Sequence, residues 1–184
     1  TKAIIPVNLY GQKVDLYKLK KIAGSKISII EDSAQSHFAY NSNSTEKHNN
    51  ISLTSCYSFY PAKNLGAYGD GGLVTTNSKI IYNKIKALRN LGSVKKYNHF
   101  LIGMNSRLDT IQAVVLNQKL KSIHKLNNRR RFFAKYYDKE LSKIKRVKLT
   151  KTDLGSSRHL YVIRCNKRDK LLKFETLYLF YRIL

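Results

Sequence analysis

Two periods of apolar residues run through this chain. Residues 3–9, opening on Ala3-Ile4-Ile5, read as a short apolar strand. Leu16, Leu19 and Ile22 then recur at helical spacing, which predicts a helix over roughly 15–23 that Gly24 ends. Ile27-Ser28-Ile29-Ile30 is a β-branched strand stopping at Glu31-Asp32, and residues 41–50 read as a polar loop. Leu53 to Tyr60 reads as a strand broken by Pro61, and Leu73 to Thr76 as a further strand. Ser78 is placed to cap a helix with Ile81, Ile85 and Leu88 on one face. A loop follows Gly92 and runs to residue 105. Ser106-x-x-Asp109 then has the form of a capping box ahead of Ile111, Val114 and Val115. Ile123, Leu126, Phe133, Tyr137, Leu141 and Ile144 mark a long amphipathic helix with a basic opposite face, and His159 to Cys165 reads as a strand of a new unit. Strands alternating with helices, without an internal repeat, make this an α/β chain.

The 184 residues, 42% hydrophobic with 13 Tyr and 7 Phe, suffice for one domain or one and a half and a sizeable core, which excludes a wholly disordered chain. No run approaches a membrane span, and the first residues lack the form of a signal peptide. The chain does not open on methionine, which places the expected start upstream. Cys56 and Cys165, far apart and outside any CxxC, read as a pair of buried, reduced thiols in a cytosolic protein.

A formal charge of +24 raises nucleic acid or an anionic surface as partner. Residues 1–92 carry 12 basic and 5 acidic side chains, and residues 93–184 carry 23 and 6. The excess is spread out, Arg129-Arg130-Arg131 is the one compact run, and the aromatics sit at core spacing rather than interleaved with the cations. A basic nucleic-acid-binding module is therefore the alternative reading, not the first.

Lys63 is the candidate nucleophile. It follows a strand and a proline, at a strand end where open α/β sheets place ligands, and apolar neighbours would desolvate its amine. With 25 lysines in the chain, a plain surface lysine is the competing reading. Asp32 ends an apolar strand, where a carboxylate needs a cationic or donor partner. A protonated pyridine nitrogen would serve, and so would a helix N-cap or a structural ion pair. Gly66, Gly69, Gly71 and Gly72 precede a strand instead of opening a helix, so they are no dinucleotide loop, and there is no P-loop. They read as a tight turn with positive φ angles holding the lysine loop. His37, His48, His99, His124 and His159 lack metal-ligand spacing, and His37 stands out for lying five residues after Asp32.

Five segments in order carry a resemblance: Pro6 to Gly11; Glu31-Asp32-Ser33-Ala34-Gln35-Ser36-His37; Ser58 to Gly72 around Pro61-Ala62-Lys63-Asn64-Leu65-Gly66; Arg89 to Ser93; and Gly103 to Asp109. Together they resemble the DegT/DnrJ-type, StrS-like sugar aminotransferases over roughly residues 3–165. The resemblance implies a pyridoxal 5'-phosphate enzyme of fold type I, the aspartate-aminotransferase-like α/β fold, with an incomplete large domain over 1–121, a connecting helix over 122–146 and the start of the small domain over 147–184. It implies that Lys63 is the Schiff-base and proton-shuttling lysine, that Asp32 pairs with the pyridine nitrogen, that Gln35 lies against the ring, and that Ser58 holds the phosphate. Asn105 would reach the phosphate in a neighbouring subunit's site, which implies a homodimer. His37, Tyr60, Tyr97 and His99 are the implied substrate contacts. The implied reaction carries an amino group from glutamate to a nucleoside-diphosphate keto sugar in the cytoplasm. Asn64-Leu65-Gly66-Ala67 with Lys96-Tyr97-x-His99 favours a 3-keto sugar, with a 4-keto or UDP-linked sugar as the alternative.

Two departures stand out. Phe38 occupies a position usually held by glycine, where it is expected to crowd the backbone beside Asp32 and Gln35. The family's chains are roughly twice as long. The turn that cradles the cofactor phosphate and the aromatic that stacks on its ring are expected ahead of Thr1, and most of the small domain after Leu184. Residues 175–184 read as a shifted or degraded end. The chain by itself is expected to have little or no transaminase activity.

Overall fold

The computed structural model describes residues 1–40 and 51–174. The expected polar loop 41–50, His48 and the tail 175–184 lie outside the described residues. A four-stranded sheet organises the first half, in the order β1 (Ala3–Ile4), β2 (Ser28–Asp32), β3 (Thr54–Ser58), β4 (Gly72–Thr75). The first three strands are parallel, and β4 runs antiparallel on the edge. The expected 3–9 strand is shorter than its apolar run. Pro6 has no N–H to give a ladder, and the chain turns through a 3-10 segment, Leu9–Gly11, in which Tyr10 takes φ 58.

Helix α1 (Leu16–Ala23) starts where the Asp15 side chain accepts the Lys18 N–H, and Gly24 ends it at φ 80. Helix α2 (Lys79–Leu88) has the expected Ser78 cap, which accepts the Ile81 N–H. The stretch after Gly92 is not a plain loop. It forms a hairpin of β5 (Ser93–Lys95) and β6 (Asn98–His99), and Gly92 at φ 75 sits so close under the Leu101 carbonyl that no Cβ fits. The capping box is also corrected. Asp109 is itself the cap of α3 (Thr110–Leu120), accepting the Ile111 N–H at 2.8 Å, and Ser106 lies outside the helix.

Helix α4 (Ile123–Leu141) is the long helix, but its buried stripe is Ile123, Asn127 and Ala134. Leu126, Phe133 and Tyr137, expected on the core face, are exposed. The expected 159–165 strand shrinks to β8 (Ile163–Cys165), paired with β7 (Val147–Leu149). Residues 155–159 are drawn instead onto the 3-10 turn, where Ser157 N donates to Gly11 O and His159 N to Tyr10 O, both at 3.0 Å. Phe59, Leu65, Ala67, Leu116 and Ile123 form the core beneath the lysine loop, with Leu108 against it. Cys56 and Cys165 are free thiols, half-buried rather than buried. No helix among the described residues is long and apolar enough to cross a membrane.

Candidate active site

Alternation along β2 sends Ile29 and Glu31 to one face and Asp32 to the other. Glu31 is buried against Lys13, with Nζ 2.6 Å from Oε1, and Ser33 Oγ donates to the same oxygen at 2.6 Å. Burial alone would raise this carboxyl's pKa. The Lys13 charge and the hydrogen bonds outweigh it and hold the pKa below the ordinary range. Asp32, at the carboxyl end of β2, is neither a helix cap nor an ion-pair member among the described residues. Its Oδ1 accepts the Ala34 N–H at 3.0 Å, and its backbone is pinned by Pro6 O and Asn8 N.

On the neighbouring strand, β3 ends at Ser58, and the chain folds into the lysine loop. Lys63 N donates to Tyr60 O at 2.9 Å, and Ala67 N to Phe59 O at 2.8 Å. Gly66 lies against the Pro61 carbonyl, where a Cβ would collide, and Lys119 Nζ donates to the Gly66 carbonyl at 2.7 Å. None of the four glycines of the cluster has positive φ, contrary to the tight-turn expectation. They serve close approach: Gly71 leaves room for Leu108 and Phe59. Ser58 Oγ accepts the Tyr60 N–H at 3.3 Å.

Gln35 lies beside this edge, its Oε1 accepting the Tyr10 N–H at 2.7 Å. His37 is 2% exposed, between Tyr57 and Phe59, and neither ring nitrogen has a hydrogen-bond partner. Burial depresses its pKa to about 4; the Ser58 backbone opposes this, and the smaller effects of the His159 and Lys63 charges add to it. Phe38 has φ 55, the left-handed region that glycine tolerates, which is a physical reason for a glycine there. Its ring meets His124 of α4 edge-on at 5.0 Å.

Of the other expected residues, Tyr60 belongs to the lysine loop, whereas Tyr97, His99 and Asn105 lie on the hairpin and the segment after it. Asn105 is exposed on an isolated bridge to Asn90 and accepts from Arg107 Nε at 2.9 Å. Tyr60 is exposed, Tyr97 is 85% exposed at the hairpin turn, and His99 Nδ1 sits 2.9 Å from Leu91 O.

A buried polar chain escaped the sequence reading. Asn64 Nδ2 donates to Asn127 Oδ1 at 2.9 Å and to Ser157 O at 2.8 Å, and Asn64 Oδ1 stands 3.0 Å from His159 Nδ1. Asn127 Nδ2 donates to His37 O at 3.0 Å, and Ser157 Oγ to Gln35 O at 2.9 Å. The signal was present: Asn127 shares a helical face with Ile123 and Ala134, and a polar residue in an apolar stripe needs bonded partners.

A carboxylate and a hydroxyl end adjacent parallel strands, a lysine follows on the next loop, and the mixed α/β fold is that of a fold type I transferase. The DegT/DnrJ/EryC1/StrS aminotransferase family matches residues 1–177, and the chain belongs to that family. The erythromycin biosynthesis sensory transduction protein EryC1 of Saccharopolyspora erythraea is 41% identical over 96% of this chain and 48% of its own length. The dTDP-3-amino-3,4,6-trideoxy-alpha-D-glucose transaminase of Streptomyces venezuelae is 38% identical over 93% of this chain and 45% of its own. The crystal structure of S. venezuelae DesV superimposes with a TM-score of 0.83 at 38% identity, over 93% of this chain and 46% of that one. The chain spans about half the length of the curated relatives it matches.

Proposed function

We propose that this chain carries the central cofactor-binding part of a pyridoxal-phosphate aminotransferase that aminates a nucleoside-diphosphate keto sugar. The observation that carries the reading is that Asp32 and Ser58 end the adjacent parallel strands β2 and β3 and Lys63 lies in the loop that follows β3, within a chain of this family. The donor set fits the cofactor. Asp32 has no cationic partner among the described residues, Ser58 can donate its O–H, and Lys63 is near enough to His37 and His159 to depress both.

When bound, pyridoxal phosphate supplies the electron sink for moving an amino group. Lys63 holds it covalently and moves a proton at Nζ. Asp32 keeps a proton on the ring nitrogen, Ser58 donates to the phosphate, and Gln35 orients the ring. His37, Tyr60, Tyr97 and His99 are proposed to face the sugar side. Glutamate is the proposed donor. A 3-keto sugar is the proposed acceptor, which the name of the S. venezuelae transaminase supports. Asn105 is proposed to complete the partner subunit's site in a homodimer, and the 184-residue chain alone is proposed to turn over poorly.

The test is to incubate the chain with pyridoxal phosphate, reduce with borohydride and map the label. Label concentrated on Lys63 and lost in Lys63→Ala supports the reading. Label scattered over the chain's lysines and unchanged in Lys63→Ala overturns it. Glutamate plus a dTDP- or UDP-linked 3-keto sugar, followed by mass spectrometry, then tests the substrates.

A further inference from the structure

We propose that Asn127 is a positioning residue: its amide ties the loop after Lys63 to the loop after Asp32, setting the spacing between the two cofactor groups. The proposal rests on the reading of Lys63 and Asp32 given above.

Asn127 is 1% exposed on the inner face of α4. It uses both ends of its amide in opposite directions. Its Oδ1 accepts from Asn64, the residue after Lys63, and its Nδ2 donates to the carbonyl of His37, five residues past Asp32. The two loops leave adjacent parallel strands, so each strand fixes only its own loop base. A third element must set one loop against the other. Ser157 makes a parallel link, with its hydroxyl on Gln35 O and its carbonyl under Asn64.

An apolar residue would suit the stripe between Ile123 and Ala134, because burying an amide is unfavourable unless both ends are bonded. Here both ends are bonded, and each bond goes to a different loop. Asn64 is saturated as well, with two donated bonds and one accepted, so the pair cannot reorient without losing a bond. The arrangement supplies direction, which an apolar contact lacks.

The experiment compares the chain with Asn127→Leu, which keeps the γ-branched shape and removes both bonds. Amide hydrogen exchange is read at Lys63, Ala67 and Ala39, with β3 as internal reference. Borohydride-fixed capture of pyridoxal phosphate on Lys63 is timed in parallel. The expected result is at least tenfold faster exchange at the loop amides with β3 unchanged, and at least tenfold slower capture at Lys63. Loop exchange that does not outrun β3, or unchanged capture, overturns the proposal. If Asn127→Leu loosens β3 as well, Asn127→Ala removes the same two bonds without added volume and is held to the same two readings. Absence of label on Lys63 in the parent chain refutes the aminotransferase reading and the proposal's setting of the two groups together. Equal capture by parent and variant refutes the positioning role alone.

Discussion

His159 Nδ1 stands 3.0 Å from Asn64 Oδ1, and that pairing fixes the imidazole tautomer. The Asn64 NH2 group is already used by Asn127 and Ser157, so its oxygen is left to face the ring and can only accept. His159 must therefore donate from Nδ1 and, when neutral, keep Nε2 unprotonated. Burial, followed by the charges of Lys63 and Arg130, holds its pKa below the ordinary value. Proton-detected titration should place its midpoint below 6.5. Lys63→Gln removes a cation near both His37 and His159 and should move both midpoints upward. Unchanged midpoints would show that Lys63 is not beside them.

Acid sensitivity should begin well above the carboxylate range. His37 has an ordinary pKa of 6.5 and a folded value of about 4. Between these values the unfolded chain binds a proton that the folded chain refuses. Stability is thus fully present above 6.5 and is lost as pH falls toward 4. The loss should be roughly 2–3 kcal/mol. Urea midpoints measured across this window should fall in the parent and fall less in His37→Phe, where the share of His159, also depressed, is left. Glu31, also depressed, withdraws its share only below about 4.5, so the two phases separate on the pH axis.

Breaking the buried Lys13–Glu31 pair should be costly, because one charge is left uncompensated. Lys13→Met should destabilise by about 3–5 kcal/mol. Lys13→Met with Glu31→Leu should recover much of that loss, since replacing both partners removes the orphan charge. Denaturant titrations of the two variants check the order.

Gly66→Ala should damage the lysine loop before the sheet. The added Cβ meets the Pro61 carbonyl, which belongs to the same turn as Lys63. A loss of about 1–3 kcal/mol is expected, the range for overpacking a tight contact. Melting temperature and borohydride labelling of Lys63 should fall together.

Much of this architecture was legible in the sequence. Ser78 announced α2, Gly24 ended α1, and the apolar runs at 27–30 and 53–60 marked β2 and β3. The positions of Asp32 and Ser58 at strand ends, and of Lys63 on the loop after Pro61, could be read from where the apolar runs stop. Long-range pairings were not legible. The 93–99 hairpin rests on Gly92 fitting under Leu101, which no local period encodes. Periodicity put Leu126, Phe133 and Tyr137 on the inner face of α4, but hydrogen bonding from loops far away turned the Asn127 stripe inward instead. The glycine cluster was read as torsional freedom, whereas close approach is what those positions require.

The span of the Asn64 bonds sets an order of events during synthesis. The residue beside Lys63 takes one partner 63 positions later and another 93 positions later, and Gln12 accepts from Asp153, 141 positions on. A ribosome adds about 5–20 residues per second, so β2, β3 and β4 emerge several seconds before Ser157 does. During that interval the nascent chain has its sheet but not its site, and the lysine loop hangs from one side only. Lys63 is translated early, and the residue beside it gains its last cross-links only when Ser157 and His159 emerge.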